Sequence, residues 1–159
     1  MVVGDFDGDG NLDVAISAND FGTEIAIGRY DASNGLVLKG DGKGKFKPMS
    51  ILQSGIYIPG NGKALVKLLD KDGNLIIAAS QNKAPLKVFE QRKKVNHIPI
   101  LPDDISAIIT NKNGSIQKEE FYYGSSFLSQ SARFLIVNSN MKSVAIKNNS
   151  GQVRIVEIH

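Results

Sequence analysis

The chain has 159 residues, no cysteine, a formal net charge of +3 and a hydrophobic share of 42%. That is enough apolar material for a real core in one domain or two small ones, and the missing cysteines exclude a disulfide scaffold and a thiolate zinc site. No stretch is apolar for long enough to span a membrane as a helix, and the one tight basic cluster, Gln91-Arg92-Lys93-Lys94, has no aromatic residues interleaved with it, which argues against nucleic-acid binding.

In chain order, Met1 to Gly4 reads as the end of a strand. Asp5-Phe6-Asp7-Gly8-Asp9-Gly10-Asn11-Leu12-Asp13 follows, with four carboxylates in nine residues. Carboxylates so crowded repel one another unless a cation sits among them. Counted from Asp5, positions 1, 3, 5, 7 and 9 are Asp5, Asp7, Asp9, the carbonyl of Asn11, and Asp13. These are oxygen donors at the spacing of a Ca²⁺ loop, with Gly10 where the loop needs φ > 0. Leu12 is expected to point away from the ion and anchor the loop in a core. An EF-hand would carry a bidentate Glu at position 12 and flanking helices. Here Ile16 holds that place and Leu12 to Ala18 reads as a strand, so the loop is set between strands.

Further strands are expected at Glu24 to Tyr30, Leu36 to Lys39 and Phe46 to Leu52, with turns at Asn19 to Gly22 and at Asn34-Gly35. The run Gly40-Asp41-Gly42-Lys43-Gly44-Lys45-Phe46 reads as a hairpin. It is no phosphate-binding loop, because no Gly-Lys-Ser/Thr opens a helix there. Lys63 to Leu69 leads into Asp70-Lys71-Asp72-Gly73-Asn74-Leu75, which repeats the first loop. Asp70 and Asp72 fall on Asp7 and Asp9, whereas Leu68 and Ile76 fall where Asp5 and Asp13 stand. Two acids and one carbonyl do not make a calcium site, so this copy reads as a metal-free turn. Ala84 to Glu90 closes the second unit. Lys93 to Pro102 reads as a linker, marked by Pro99 and Pro102. Strands are expected beyond it at Ile105 to Thr110, Ile116 to Tyr122, Phe134 to Val137, Lys142 to Lys147 and Gln152 to Ile158. No sustained 3.6-residue period occurs, so the expected class is all-β.

Asp-x-Asp-x-Asp-Gly-x-x-Asp followed by an apolar strand resembles the FG-GAP (VCBS-type) repeat of integrin α-chain propellers and secreted bacterial proteins. The segment Gly124-Ser125-Ser126-Phe127-Leu128-Ser129-Gln130-Ser131-Ala132-Arg133, with Val144-Ala145-Ile146 and Ser150-Gly151, resembles the ASPIC/UnbV domain. Asn148-Asn149-Ser150 replaces that domain's usual aromatic and proline. The resemblances imply partial antiparallel propeller-type blades over residues 1–92, with Ca²⁺ in the first loop. They imply a small sandwich- or barrel-like β domain over 103–159.

Catalysis is not expected. A triad needs a base, and only His97 and the terminal His159 are histidines. Ser129, Gln130 and Arg133 are candidate ligand-binding residues. The run is better explained as polar side chains bonding buried irregular backbone, with Arg133 clamping carbonyls or a carboxylate such as Glu119 or Glu120. Tyr57, Tyr122 and Tyr123 could stack on sugars, but core or rim packing suits them better. The expected protein is a calcium-stabilised, non-enzymatic binding or adhesion module, the C-terminal part of a larger exported protein, extracellular or at the cell surface. The alternative is an accessory domain of a secreted carbohydrate-processing enzyme whose active site lies outside this chain. The expected partner is a protein or glycan on a surface, with neither nucleic acid nor membrane insertion. Pairing of two copies through exposed strand edges is also expected.

Overall fold

A computed structural model describes residues 1–91, 94–126 and 128–158. Arg92 and Lys93 of the basic cluster, Phe127 of the Ser-rich motif and the candidate base His159 lie outside the described residues. The chain is all-β, as expected. Its strands form antiparallel sheets, and among the described residues none of these closes into a barrel.

The chain divides into two compact units. The first comprises 1–94 and 124–132 and holds two sheets. One has the order β1 (Val2–Gly4), β2 (Asp13–Ile16), β3 (Leu36–Gly40), β4 (Phe46–Met49). Val2, Ala15, Val37 and Met49 are direct cross-strand partners in a single row. They share one face because side chains alternate along strands. The second sheet runs β5 (Asn61–Leu69), β6 (Leu75–Asn82), β7 (Ala84–Glu90). It adds Leu65, Ile77 and Ala79 to the same core, and Ile56 and Ile58 join from the connection between the sheets. Leu65 is fully buried, which stabilises by about 1.5–3 kcal/mol.

The second unit comprises 95–123 and 133–159. A four-stranded sheet runs β10 (Ile116–Glu120), β9 (Asp104–Asn111), β12 (Met141–Asn148), β13 (Val153–Glu157), and β8 (Asn96–Pro99) pairs with β11 (Phe134–Val137). Its core joins Ile98, Ile100 and Leu135 to Ala107, Ile109, Met141, Val144 and Ile146.

Four expectations are corrected. Glu24 to Tyr30 is not a strand. Ile27 and Gly28 donate backbone N–H groups to the Glu24 carbonyl, Gly28 has φ +76°, and only an isolated bridge joins Asp20 to Tyr30. The strand expected over Phe46 to Leu52 stops at Met49. There Ser50 and Gln53 form a capping box that opens the short helix α1 (Ile51–Ser54), closed by Gly55. That Ser-x-x-Gln signal is a helix start. The expected linker over Lys93 to Pro102 contains β8, and Ile98 and Ile100 are core residues. Finally, the segment 124–132, expected in the C-terminal domain, belongs to the first unit. The Lys67 N–H donates to Ser131 Oγ (3.1 Å), and the Ala132 N–H donates to the Lys67 carbonyl (2.9 Å). The segment thus occupies part of the free edge of β5.

Candidate metal centre

The Asp-rich loop joins β1 to β2, and Gly4 pairs with Asp13 across that hairpin. Asp5 follows the last residue of β1, and Asp13 opens β2. Both are buried. The oxygens of Asp5 accept hydrogen bonds from the Gly8 N–H (2.7 Å) and the Gly10 N–H (2.9 Å). Those of Asp13 accept from the Phe6 N–H (3.0 Å) and the Gly40 N–H (2.9 Å). Gly10 adopts φ +92°, as the loop requires. Gly40 is required for space, since a Cβ there would lie 2.1 Å from the Leu12 carbonyl oxygen.

Oxygens of Asp5, Asp7 and Asp13 lie within 4.8 Å of one another. Burial raises the Asp5 carboxyl above its ordinary value. The bonds from Gly10 and Gly8 offset this only in part, and Asp9 and Asp7 add repulsion. Asp13 is likewise raised, first by burial, with Asp7 and Asp9 adding to it. The two buried carboxyls of the group thus disfavour their own ionisation. A hard cation relieves that strain. Each carboxylate oxygen that accepts one N–H keeps a further lone pair for a ligand bond, so the three carboxylates retain oxygen donors of the kind a hard cation takes.

Asp9 stands outside the group of three. Asp9 Oδ1 accepts from the Asn11 N–H (2.8 Å). Desolvation is the largest single influence on Asp9 and acts upward, but that bond together with Lys39 lowers its carboxyl on balance. The side chain of Asn11 turns toward Gly42. Leu12 is 60% exposed and anchors nothing. Asp13 faces inward at the start of β2, and Leu12 just before it faces out. Phe6 packs against the core instead. Sequence reasoning missed Lys39. Its ammonium contacts Asp7 Oδ2 and lies 3.1 Å from Asp9 Oδ2, and these contacts raise its pKa well above the usual lysine value.

In the second loop Asp70 is satisfied by its own turn. Its oxygens accept from the N–H groups of Asp72 and Asn74 and from Asn74 Nδ2, all at 2.8 Å. The Asn74 backbone bond is the main cause of its lowered carboxyl pKa. Leu75 fills the core place that Leu12 does not.

The Ser-rich residues hold backbone. Gln130 accepts from the Gly124 N–H and donates to the Ser131 carbonyl (2.8 Å), while Ser129 Oγ is buried without a partner among the described residues. In the second unit Arg133 donates to the carbonyls of Leu101 (2.8 Å), Pro102 (3.0 Å) and Asp104. Its guanidinium lies 4.4 Å from the centre of the Tyr123 ring. Glu120, a carboxylate expected as its partner, is paired with Lys118 and Tyr122 instead. His97 lies on β8 with its ring edge-on to Phe134. No family model, no curated protein and no solved structure matches the chain.

Proposed function

We infer that the chain is a calcium-stabilised, non-enzymatic binding or adhesion module of the FG-GAP type, working outside the cell where calcium is plentiful. The observation that carries this reading is the approach of Asp5, Asp7 and Asp13 to within 4.8 Å on a loop whose ends are locked in one hairpin. A cation held there would join the exit of β1 to the entry of β2 and cancel the repulsion among the acids. Asp5, Asp7 and Asp13 would be its principal ligands, with Asp9 and the Asn11 carbonyl the nearest sources of further oxygens.

Calorimetry tests this. Calcium should bind with a Kd on the order of 10⁻⁴ to 10⁻³ M, as in extracellular modules. At ten times Kd it should stabilise the fold by about 1.4 kcal/mol, a gain that EDTA removes. Asp7→Asn should keep the melting temperature of the EDTA-treated protein and lose the response to calcium. No binding heat, together with a melting temperature unmoved by EDTA, would refute the reading.

A further inference from the structure

On the first unit, away from the acidic loop, an open groove of about 480 Å³ is lined by Asp20, Tyr30, Lys63 and their neighbours. We propose that it is a carbohydrate-binding site for the pyranose ring of a neutral sugar, with Tyr30 as the stacking platform and Asp20 and Lys63 as the hydroxyl-binding pair.

The geometry begins with the backbone. Asp20 and Tyr30 exchange both N–H···O bonds, at 2.9 and 2.7 Å. They form an antiparallel hydrogen-bonded pair, which sets two side chains on the same face. Tyr30 as a residue is 57% exposed although its backbone is paired with Asp20. A half-exposed aromatic face is a poor solvent-facing group and a good surface for the C–H face of a sugar. Beside it Lys63 Nζ lies 3.3 Å from Asp20 Oδ1. Together they offer a cationic donor and an anionic acceptor at one spot. A sugar hydroxyl is both donor and acceptor and can bridge the two without bringing net charge of its own. A lone cation or a lone anion would leave one member of the pair opposed by like charge.

The site is held in place before any ligand arrives. Asn19 has φ +76° and is buried. Its Nδ2 donates to the Pro59 and Gly60 carbonyls, both at 3.3 Å, and its Oδ1 accepts from the Ser33 N–H at 3.0 Å. These bonds pin the backbone next to Asp20. Asp20 Oδ1 also accepts from the Gly22 N–H (3.0 Å). That bond is the first cause, and Lys63 the next, of a carboxyl held ionised below its ordinary range. Preorganisation of this kind lowers the ordering cost of binding a weak ligand.

The assignment gives a ligand class to the binding module proposed above and rests on that reading. The test is saturation-transfer NMR on the whole chain with cellobiose, maltose, lactose and chitobiose, in calcium and in EDTA. Saturation of the protein should reach the ring C–H protons of at least one disaccharide. Tyr30→Phe should keep the transfer, and Tyr30→Ala should weaken affinity about tenfold. Asp20→Asn and Lys63→Met should each weaken it as well. Because Tyr30 is exposed, Tyr30→Ala should leave the melting temperature in place, so a loss of transfer reports the site and not the fold. Transfer to none of the four sugars, or transfer unchanged in Tyr30→Ala, overturns the proposal. Binding of glucuronate alone, kept in Tyr30→Ala and lost in Lys63→Met, would make the groove an anion site and also overturn it. The calcium reading fails on a different readout, the calorimetric heat, so the two failures are distinguishable.

Discussion

Lys39 sits on β3 and reaches back over the acidic loop to Asp7 and Asp9, 32 residues from Asp7 in sequence. It is a cation already tethered to part of the site that calcium would occupy, so the ion must displace the ammonium from Asp7 on binding. Lys39→Met should therefore tighten calcium binding several-fold and lower the stability of the calcium-free protein, where the remaining acids lose their counter-charge. Calorimetry at low ionic strength checks the first part; an affinity unchanged or weakened in Lys39→Met would show that the lysine does not compete. Asp5, Asp7 and Asp13 were legible as one group because ligand spacing within a loop is local. Lys39 was not, because only the register of β2 against β3, with Val14 opposite Leu38, carries it there. Leu12 was misread for a related reason. Its exposure follows from the inward direction of Asp13, and a loop sequence does not state which neighbour faces the core.

At the scale of elements, turn chemistry and alternation were read well where a strand had partners on both sides. Lys142 to Lys147 was expected as a strand; it lies in β12 between β9 and β13, and its alternate residues Val144 and Ile146 fill the core of the second unit. Glu24 to Tyr30 carries similar alternation, yet Ile25 and Ile27 are exposed to solvent, since among the described residues no strand pairs with this segment beyond the bridge at Tyr30. Proline misled the reading of Asn96–Pro99. Pro48, Pro85 and Pro99 all lie within strands, and β4, β7 and β8 are each at the edge of a sheet, where the missing N–H breaks no ladder. An ion pair unforeseen in the sequence joins β9 to β13. Arg154 Nη2 bonds Asp104 Oδ2, whose side chain is only 3% exposed, and the same oxygen accepts from the Leu101 N–H (2.8 Å). Fifty positions separate the two residues, so no local pattern announces the pair. Arg154→Met should strand a buried carboxylate and cost about 3 kcal/mol, the low end for a broken buried pair because the guanidinium is partly wet. Chemical denaturation measures it; a loss below about 0.5 kcal/mol, the range of ordinary surface changes, would show the pair to be dispensable.

On the scale of the whole molecule, the two cores share no residue among those described, and each is built on its own sheets. The chain nevertheless threads them in an interleaved order. It leaves the second unit at Tyr123, contributes 124–132 to the first, and returns at Arg133. Arg133 then fastens the point of return by clamping three backbone carbonyls. A unit with its own core is expected to melt as its own cooperative block. The acidic loop belongs wholly to the first block, and the Asp104–Arg154 pair wholly to the second. Calorimetric melting of the intact chain in calcium should therefore resolve two transitions. EDTA should lower one, and Arg154→Met should lower the other, with each perturbation leaving its neighbour in place. A single transition that shifts as a whole under both treatments would mean that the interleaved chain has made one cooperative unit of two cores.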